Sequence, residues 1–269
     1  MNRPVPILLY HSVSEVAPDA FAPYVVYPRQ FAAHLDELTA LGFTTLTVDQ
    51  LLAARALGMP LPERSVVITF DDGFADFATY AWPELVARDL SATLYVTAGT
   101  LDGTSRWLTP LGAGGLPMLT QRQVVQLAGE GCKIGAHSMT HPHLDCLPRA
   151  AAAVEIAQSK TVLEQILGRP VDSFAYPHGY HDRTVRQLVV DAGFTSAAAV
   201  KNALSPTQDD VFALARVTVT ADFDVARLTD TVIGRGIPVG QRRERLRTRV
   251  WRQARRRSYR RATEMAAVV

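Results

Sequence analysis

Seven short β-rich runs alternate along this chain with segments of helical periodicity, and that alternation limits the fold more than any other feature. The runs are Ile7–Tyr10, Val66–Phe70, Ala92–Thr97, Cys132–Ala136, Ser173–Tyr176, Thr195–Val200 and Ala213–Val219. Between them, Gln30–Leu41 places Phe31, Leu35 and Leu38 at helical spacing and stops at Gly42. Asp76–Asp89, Gln121–Glu130, Arg149–Leu167 and Asp182–Ala192 follow, the last two closed by Gly168 and Gly193. Strands joined through helices run parallel, and about seven repeats predict a closed or nearly closed α/β barrel rather than an open sheet. A length of 269 residues suits one such barrel and a short extension, with the domain over 1–240 and the extension over 241–269. The segment Gly99–Pro117, with five Gly and two Pro, reads as a long loop over one mouth of the barrel.

Composition narrows the setting. The chain is 48% hydrophobic and 20% charged, enough to bury an ordinary core. Its first apolar run is too short for a secretory leader, and no stretch approaches the ~18–20 apolar residues that span a bilayer. Cys132 and Cys146 are too few for a disulfide framework and lack zinc-knuckle spacing, so a reducing, cytoplasmic location is expected. Charge is unevenly placed: residues 241–261 hold eleven Arg and one Glu, ten positive charges in a chain of net charge +2. The body is therefore mildly acidic and the basic character sits at one end.

In parallel α/β proteins reactive groups gather where strands end. VVITFDDGF delivers Asp71 and Asp72 directly after a buried strand. Adjacent carboxylates repel, so a cation is the simplest compensation, although Asp-Gly is also an ordinary turn sequence. KIGAHSMTHPHL delivers His137, His141 and His143 within seven residues of a strand end. Two imidazoles four apart, on a turn held by Pro142, can ligate one divalent ion. Asp72, His137 and His141 then form a His-His-Asp set with open positions, and Asp71 is free to act as base on water at that ion. FAYPHGYHD runs a third strand into a Pro-Gly turn able to present backbone N–H groups to a reacting carbonyl.

Taken together, TFDDG, HSxTH and FAYPxG resemble the polysaccharide deacetylase family, whose catalytic unit is the NodB homology domain of carbohydrate esterase family 4. The resemblance covers roughly residues 4–220. It implies a distorted (β/α)7 barrel, one divalent metal ion such as zinc, and hydrolytic removal of acetyl from an N-acetylated sugar, or less often from an O-acetyl ester. Carried over by motif, Asp71 is similar to the catalytic base, and Asp72, His137 and His141 to the metal triad. The backbone N–H of His178 takes the place of the oxyanion donor.

Two departures stand out. The third motif normally carries an Arg that orients the base, and Ala175 occupies its position; Arg216, in the late run FALARVTV, is the candidate replacement, against the alternative of an outward-facing Arg. The family's last motif, a Leu-x-His near the C-terminus that supplies the general acid, is missing, since no His follows Val219. LLYHS at the front has that form. The first and last strands of a closed barrel are neighbours, so the resemblance extends to a circularly permuted branch that includes poly-N-acetylglucosamine deacetylases. His11 then becomes the candidate general acid, with an imidazole pKa suited to the role.

Tyr176, Trp107 and Arg216 are the candidate substrate contacts, with packing as the alternative for the two aromatics. His34 reads as structural or exposed, and His143 and His181 as neighbours of the site. The tail predicts a helix in which Leu246, Val250 and Ala254, with Trp251, form a narrow apolar stripe. Such a helix suits either an anionic membrane surface or a solvated extension, and nucleic acid is not expected as a partner. The leading expectation is a metal-dependent carbohydrate N-deacetylase. The alternatives are an O-deacetylase or another amide or imide hydrolase, and a non-catalytic sugar-binding barrel.

Overall fold

A computed structural model of the chain describes residues 3–16, 18–241, 251–257 and 259. Its strands are β1 (Ile7–Tyr10), β2 (Ser12–Val13), β3 (Val25–Val26), β4 (Thr44–Leu46), β5 (Ser65–Phe70), β6 (Thr93–Val96), β7 (Lys133–Ala136), β8 (Ser173–Ala175), β9 (Ser196–Ala198) and β10 (Val217–Thr218). The α-helices are α1 (Pro28–Ala40), α2 (Val48–Ala56), α3 (Trp82–Ala87), α4 (Gln121–Gly129), α5 (Arg149–Leu167), α6 (Arg183–Asp191) and α7 (Val225–Val232).

Parallel pairing gives a curled sheet of seven strands in the order β10-β1-β5-β6-β7-β8-β9, and β4 lies beside the first half of β5. All six residues of β5 are buried, as expected for a parallel strand covered on both faces. The two ends of the sheet meet through residues 211–219. Leu214 exchanges hydrogen bonds with β9, donating to Ala197 O and accepting from Ala199 N, both at 2.9 Å. Three residues later Val217 pairs with Leu8 of β1. The first strand therefore sits between the last strand and β5, the neighbour relation that a permuted barrel requires.

Local chemistry sets the helix ends. Thr47 with Gln50 and Thr120 with Gln123 form capping boxes on α2 and α4, while Asp182 and Asp224 cap α6 and α7. The expected helix over 76–89 is split: Phe77–Ala81 is a π turn, and α3 begins at Trp82. Pro83 has no N–H to offer the carbonyl four residues back, which favours the wider turn. Neither α2 nor α7 was expected. The strand before α2 is only three residues long and starts with an exposed Thr44, so its period-2 signal is weak.

Most apolar residues, among them Tyr10, Phe31, Phe70, Leu94 and Phe174, pack between sheet and helices. A smaller cluster of Ile7, Val67, Tyr95, Ala175 and Leu214 joins Val48 and Leu51 of α2. His34 is a core residue: the Tyr10 hydroxyl donates to its Nδ1 (3.1 Å) and its Nε2 faces Phe223 O at 2.7 Å. Burial holds its pKa down, so the neutral ring with the proton on Nε2 satisfies both bonds.

The loop over 99–117 lies against the expected mouth, with Leu119 N donating to Gly73 O and Gly99 N to Met139 O, both at 2.9 Å. No helix of the described residues is long and apolar enough to cross a membrane. In the tail, residues 251–257 are helical, with Trp251 58% exposed and Ala254 also exposed, whereas Leu246 and Val250 of the expected stripe lie outside the described residues.

Gly135 of β7 marks where Tyr95 crosses the sheet. A Cβ there would lie 2.5 Å from the Tyr95 ring and 2.9 Å from Ser173 O. Gly135→Ala should therefore cost about 1–3 kcal/mol through overpacking, read as a lower midpoint in urea or thermal unfolding; an unchanged midpoint would contradict this packing.

Candidate active site

Three strand ends converge on one buried cluster. β5 ends at Phe70, and the next two residues, Asp71 and Asp72, are each only 3% exposed. β7 ends at Ala136, followed by His137 at 1% and, one turn on, His141 at 7%. The Asp72 carboxylate Oδ1 lies 3.4 Å from His137 Nε2 and 3.1 Å from His141 Nε2. The three ligand atoms all fall within 4.8 Å of one another, and no other such group occurs among the described residues.

The backbone is bent to achieve this. Asp72, Ser138, His141 and His178 all have φ between 57° and 74°, a left-handed region that costs non-glycine residues roughly 1 kcal/mol each. Gly73 follows with φ 85° and lets the chain turn back against Val96. Gly179 does the same after His178, where a Cβ would stand 2.5 Å from Val200 Cβ. Among the hydrogen bonds of the described residues, none takes the His178 N–H, which leaves it available as the expected donor.

A divalent cation fits these donors. His137 Nδ1 is 2.8 Å from Ala175 O, so the proton sits on Nδ1 and the Nε2 lone pair faces Asp72 and His141. Asp72 Oδ1 is buried and makes no well-formed hydrogen bond among the described residues, a costly arrangement that a cation would relieve. Two imidazole nitrogens and one carboxylate oxygen, leaving open positions, are the donor set of a catalytic zinc-type centre.

Asp71 has a different environment. Arg216, fully buried, donates from Nη1 to Asp71 Oδ1 and from Nη2 to Oδ2, each at 2.7 Å. Its Nε also reaches Ala199 O at 3.2 Å, and its Nη1 reaches Thr69 Oγ1 at 3.3 Å. Burial alone would raise the Asp71 carboxyl, but the Arg216 guanidinium, with His137 beside it, outweighs that and holds it below the ordinary carboxylate range. Arg216 therefore takes the place left by Ala175. It has no exposed surface for substrate, which corrects its assignment as a substrate contact.

The other expected residues divide. His11 follows β1 directly opposite Asp71, whose N–H donates to Tyr10 O at 3.0 Å; burial lowers the His11 pKa against the pull of Asp72 and Asp71, and His11 Nδ1 has no hydrogen-bond partner among the described residues. Trp107 is at the site, but its ring stacks on His141 (centroids 4.9 Å, 28°), so one face is already occupied. Tyr176 is a correction: it is fully buried, its hydroxyl donates to Phe212 O at 2.9 Å, and it offers substrate no surface. His143 stacks on His178 at 4.0 Å, and His181 stacks on Tyr176 at 4.3 Å.

Sequence reasoning missed Asp76. Ser12, the neighbour of His11, donates to its Oδ2 at 2.5 Å, and burial pushes the carboxyl up to about 7. The only sequence signal is its place five residues after Asp71, indistinguishable from an ordinary helix-start Asp.

A sequence profile of the polysaccharide deacetylases matches residues 58–197, just over half of the chain. YxkH of Bacillus subtilis, which carries the same family's name, is 25% identical over 216 residues, 80% of this chain and 71% of its own. The poly-β-1,6-N-acetyl-D-glucosamine N-deacetylase of Escherichia coli is 44% identical over 46 residues, 17% of this chain and 7% of that protein. Among solved structures, the deacetylase PplD of Streptococcus pyogenes in complex with acetate aligns with a TM-score of 0.75 at 24% identity, over 86% of this chain and 99% of that one, a likeness of fold.

Two predictions follow from the charges. Arg216→Ala leaves a buried carboxylate without its cation and should cost about 3–5 kcal/mol, measured by urea unfolding; a loss under 1 kcal/mol would show that Asp71 is solvated. Asp76 binds its proton more tightly in the folded than the unfolded state, so the stability it adds is complete below the unfolded carboxyl value and is lost as pH rises through about 7. Asp76→Asn should therefore raise the melting temperature at pH 8 while giving no gain at pH 4; equal shifts at both would refute the raised value.

Proposed function

Because this chain belongs to the polysaccharide deacetylase family, we propose that it hydrolyses acetamido groups on an N-acetylated sugar chain or oligosaccharide intermediate. The observation that carries this reading is the pairing of two adjacent carboxylates in separate roles. Asp72 faces two imidazoles, whereas Asp71 is clamped by Arg216. An N-acetylglucosamine polymer is the favoured substrate class, supported by the short match to the Escherichia coli enzyme named for one.

A divalent ion, zinc fitting best, would be held by Asp72, His137 and His141. When bound it supplies Lewis acidity to the acyl oxygen and acidifies a water molecule. Asp71, anionic and fixed in orientation by two hydrogen bonds, takes the proton as water attacks. Its depressed pKa means that it does not retain that proton. His11 stands opposite it across the β1–β5 pair and is neutral at rest, ready to receive the proton and deliver it to the departing nitrogen. An amide requires that delivery, because an unprotonated amine anion is a very poor leaving group. The His178 N–H, in a left-handed turn, donates to the developing oxyanion.

Acetate release from N-acetylglucosamine oligomers and polymer should vanish with chelator and return with Zn2+. Release that survives complete metal removal would end the proposal. His11→Ala should lower kcat on amide substrates about 100-fold or more at unchanged metal content, and undiminished turnover would exclude it as the acid.

A further inference from the structure

Three arginines of the helix at 251–257 each touch two different loops of the site. Arg252 donates from Nη2 to His181 O at 2.9 Å and places Nε 3.5 Å from Asp145 Oδ2. Arg255 donates from Nη2 to Asp145 Oδ2 at 2.6 Å and lays its guanidinium 3.5 Å over the Tyr180 ring. Arg256 donates from Nε to Asp145 O at 2.7 Å and from Nη2 to the Asp182 carboxylate. Asp145 belongs to the loop after β7, four residues beyond His141. Tyr180, His181 and Asp182 belong to the loop after β8, just beyond His178.

We infer that this C-terminal helix is a positioning element of the active site, in which Arg252, Arg255 and Arg256 hold the His141 loop and the His178 loop at a fixed separation. The contact layer beneath it is continuous. His143 of one loop stacks on His178 of the other at 4.0 Å, and His178 meets His141 edge-on at 4.5 Å. Asp145 supplies the energetic reason. Its side chain has no exposed surface, and a buried carboxylate needs a cation. Arg252 and Arg255 supply that charge from the far end of the chain. A planar guanidinium suits the task because its fork reaches two acceptors, or one acceptor and a ring face, at once, whereas a lysine offers a single point. The concentration of arginine in the tail and the acidity of the body fit the same reading.

Metal binding tests this independently of the deacetylase reading; only the kinetic measurements rest on that reading. The full-length protein is compared with Arg255→Ala/Arg256→Ala, with Asp145→Asn, and with the combination. Zinc affinity of the metal-free protein is measured by competition with a chromogenic chelator, well below the melting temperature, and kcat and KM for acetate release are taken in parallel. The arginine pair should lose about tenfold or more in zinc affinity, with KM raised more than kcat is lowered. The combination should lose less than the sum of the two separate losses, because the Arg255–Asp145 contact is broken in both. Unchanged zinc affinity and KM in the arginine pair, or fully additive losses, would overturn the inference. So would a gain in turnover, which makes the helix a cover. Loss of flotation with phosphatidylglycerol vesicles at unaltered zinc affinity would overturn it as well, since those arginines would then serve a membrane surface.

Discussion

The buried pair between Arg216 and Asp71 is the contact on which the rest of the arrangement depends. Arg216 lies in the stretch that joins the two ends of the sheet, between Leu214, which bonds β9, and Val217, which pairs with β1. Its guanidinium crosses to the end of β5 and there meets both oxygens of one carboxylate. The seam of the sheet and the orientation of the Asp71 carboxylate are therefore one interaction. A charge of this kind is tolerated only because nearly every donor is used: Nε on Ala199, Nη1 on Thr69 and Asp71, Nη2 on Asp71. With Asp71 neutralised in this way, Asp72 can stand beside it without prohibitive repulsion and keep its own charge for the two imidazoles.

Much of this was legible in the sequence because parallel strands announce both themselves and their ends. Ile7–Tyr10 and Val66–Phe70 read as buried runs, and the polar residues that follow them are the site. The spacing of His137 and His141 also carried through, because a left-handed residue at Ser138 and another at His141 fold the loop so that both rings face Asp72. Tyr176 was misread for a physical reason. A strand of three residues, Ser173–Ala175, stops earlier than its apolar run, and the next side chain turns into the core instead of the mouth.

The residues that sequence could not reveal are those whose role is fixed by a distant partner. Asp76 looks like any acidic residue at a helix start, and only its burial beside Ser12 sets it apart. Asp145 in a His-Pro-His-Leu-Asp string looks like a turn residue. Its partners lie more than a hundred positions away, in a segment whose composition alone reads as a solvated or membrane-facing tail. Charge counting located the basic end but could not say which acid it meets, because eleven arginines against an acidic body leave many pairings open.

Placing His11, the proposed general acid, at the front of the chain has a mechanical consequence. β1 is held on both sides, by β10 through Leu8 and Leu9 and by β5 through all four of its residues. His11 is thus the first residue to leave a strand clamped at the sheet's seam, and Ser12 ties the next position to Asp76. A side chain that must move a proton without moving itself benefits from such a mount, because a displacement of about 1 Å can cost 100-fold in rate. Had the same residue followed a strand at a free sheet edge, its backbone would have had one neighbour instead of two. The permuted order therefore keeps His11 opposite Asp71 and does so from a strand paired on both sides.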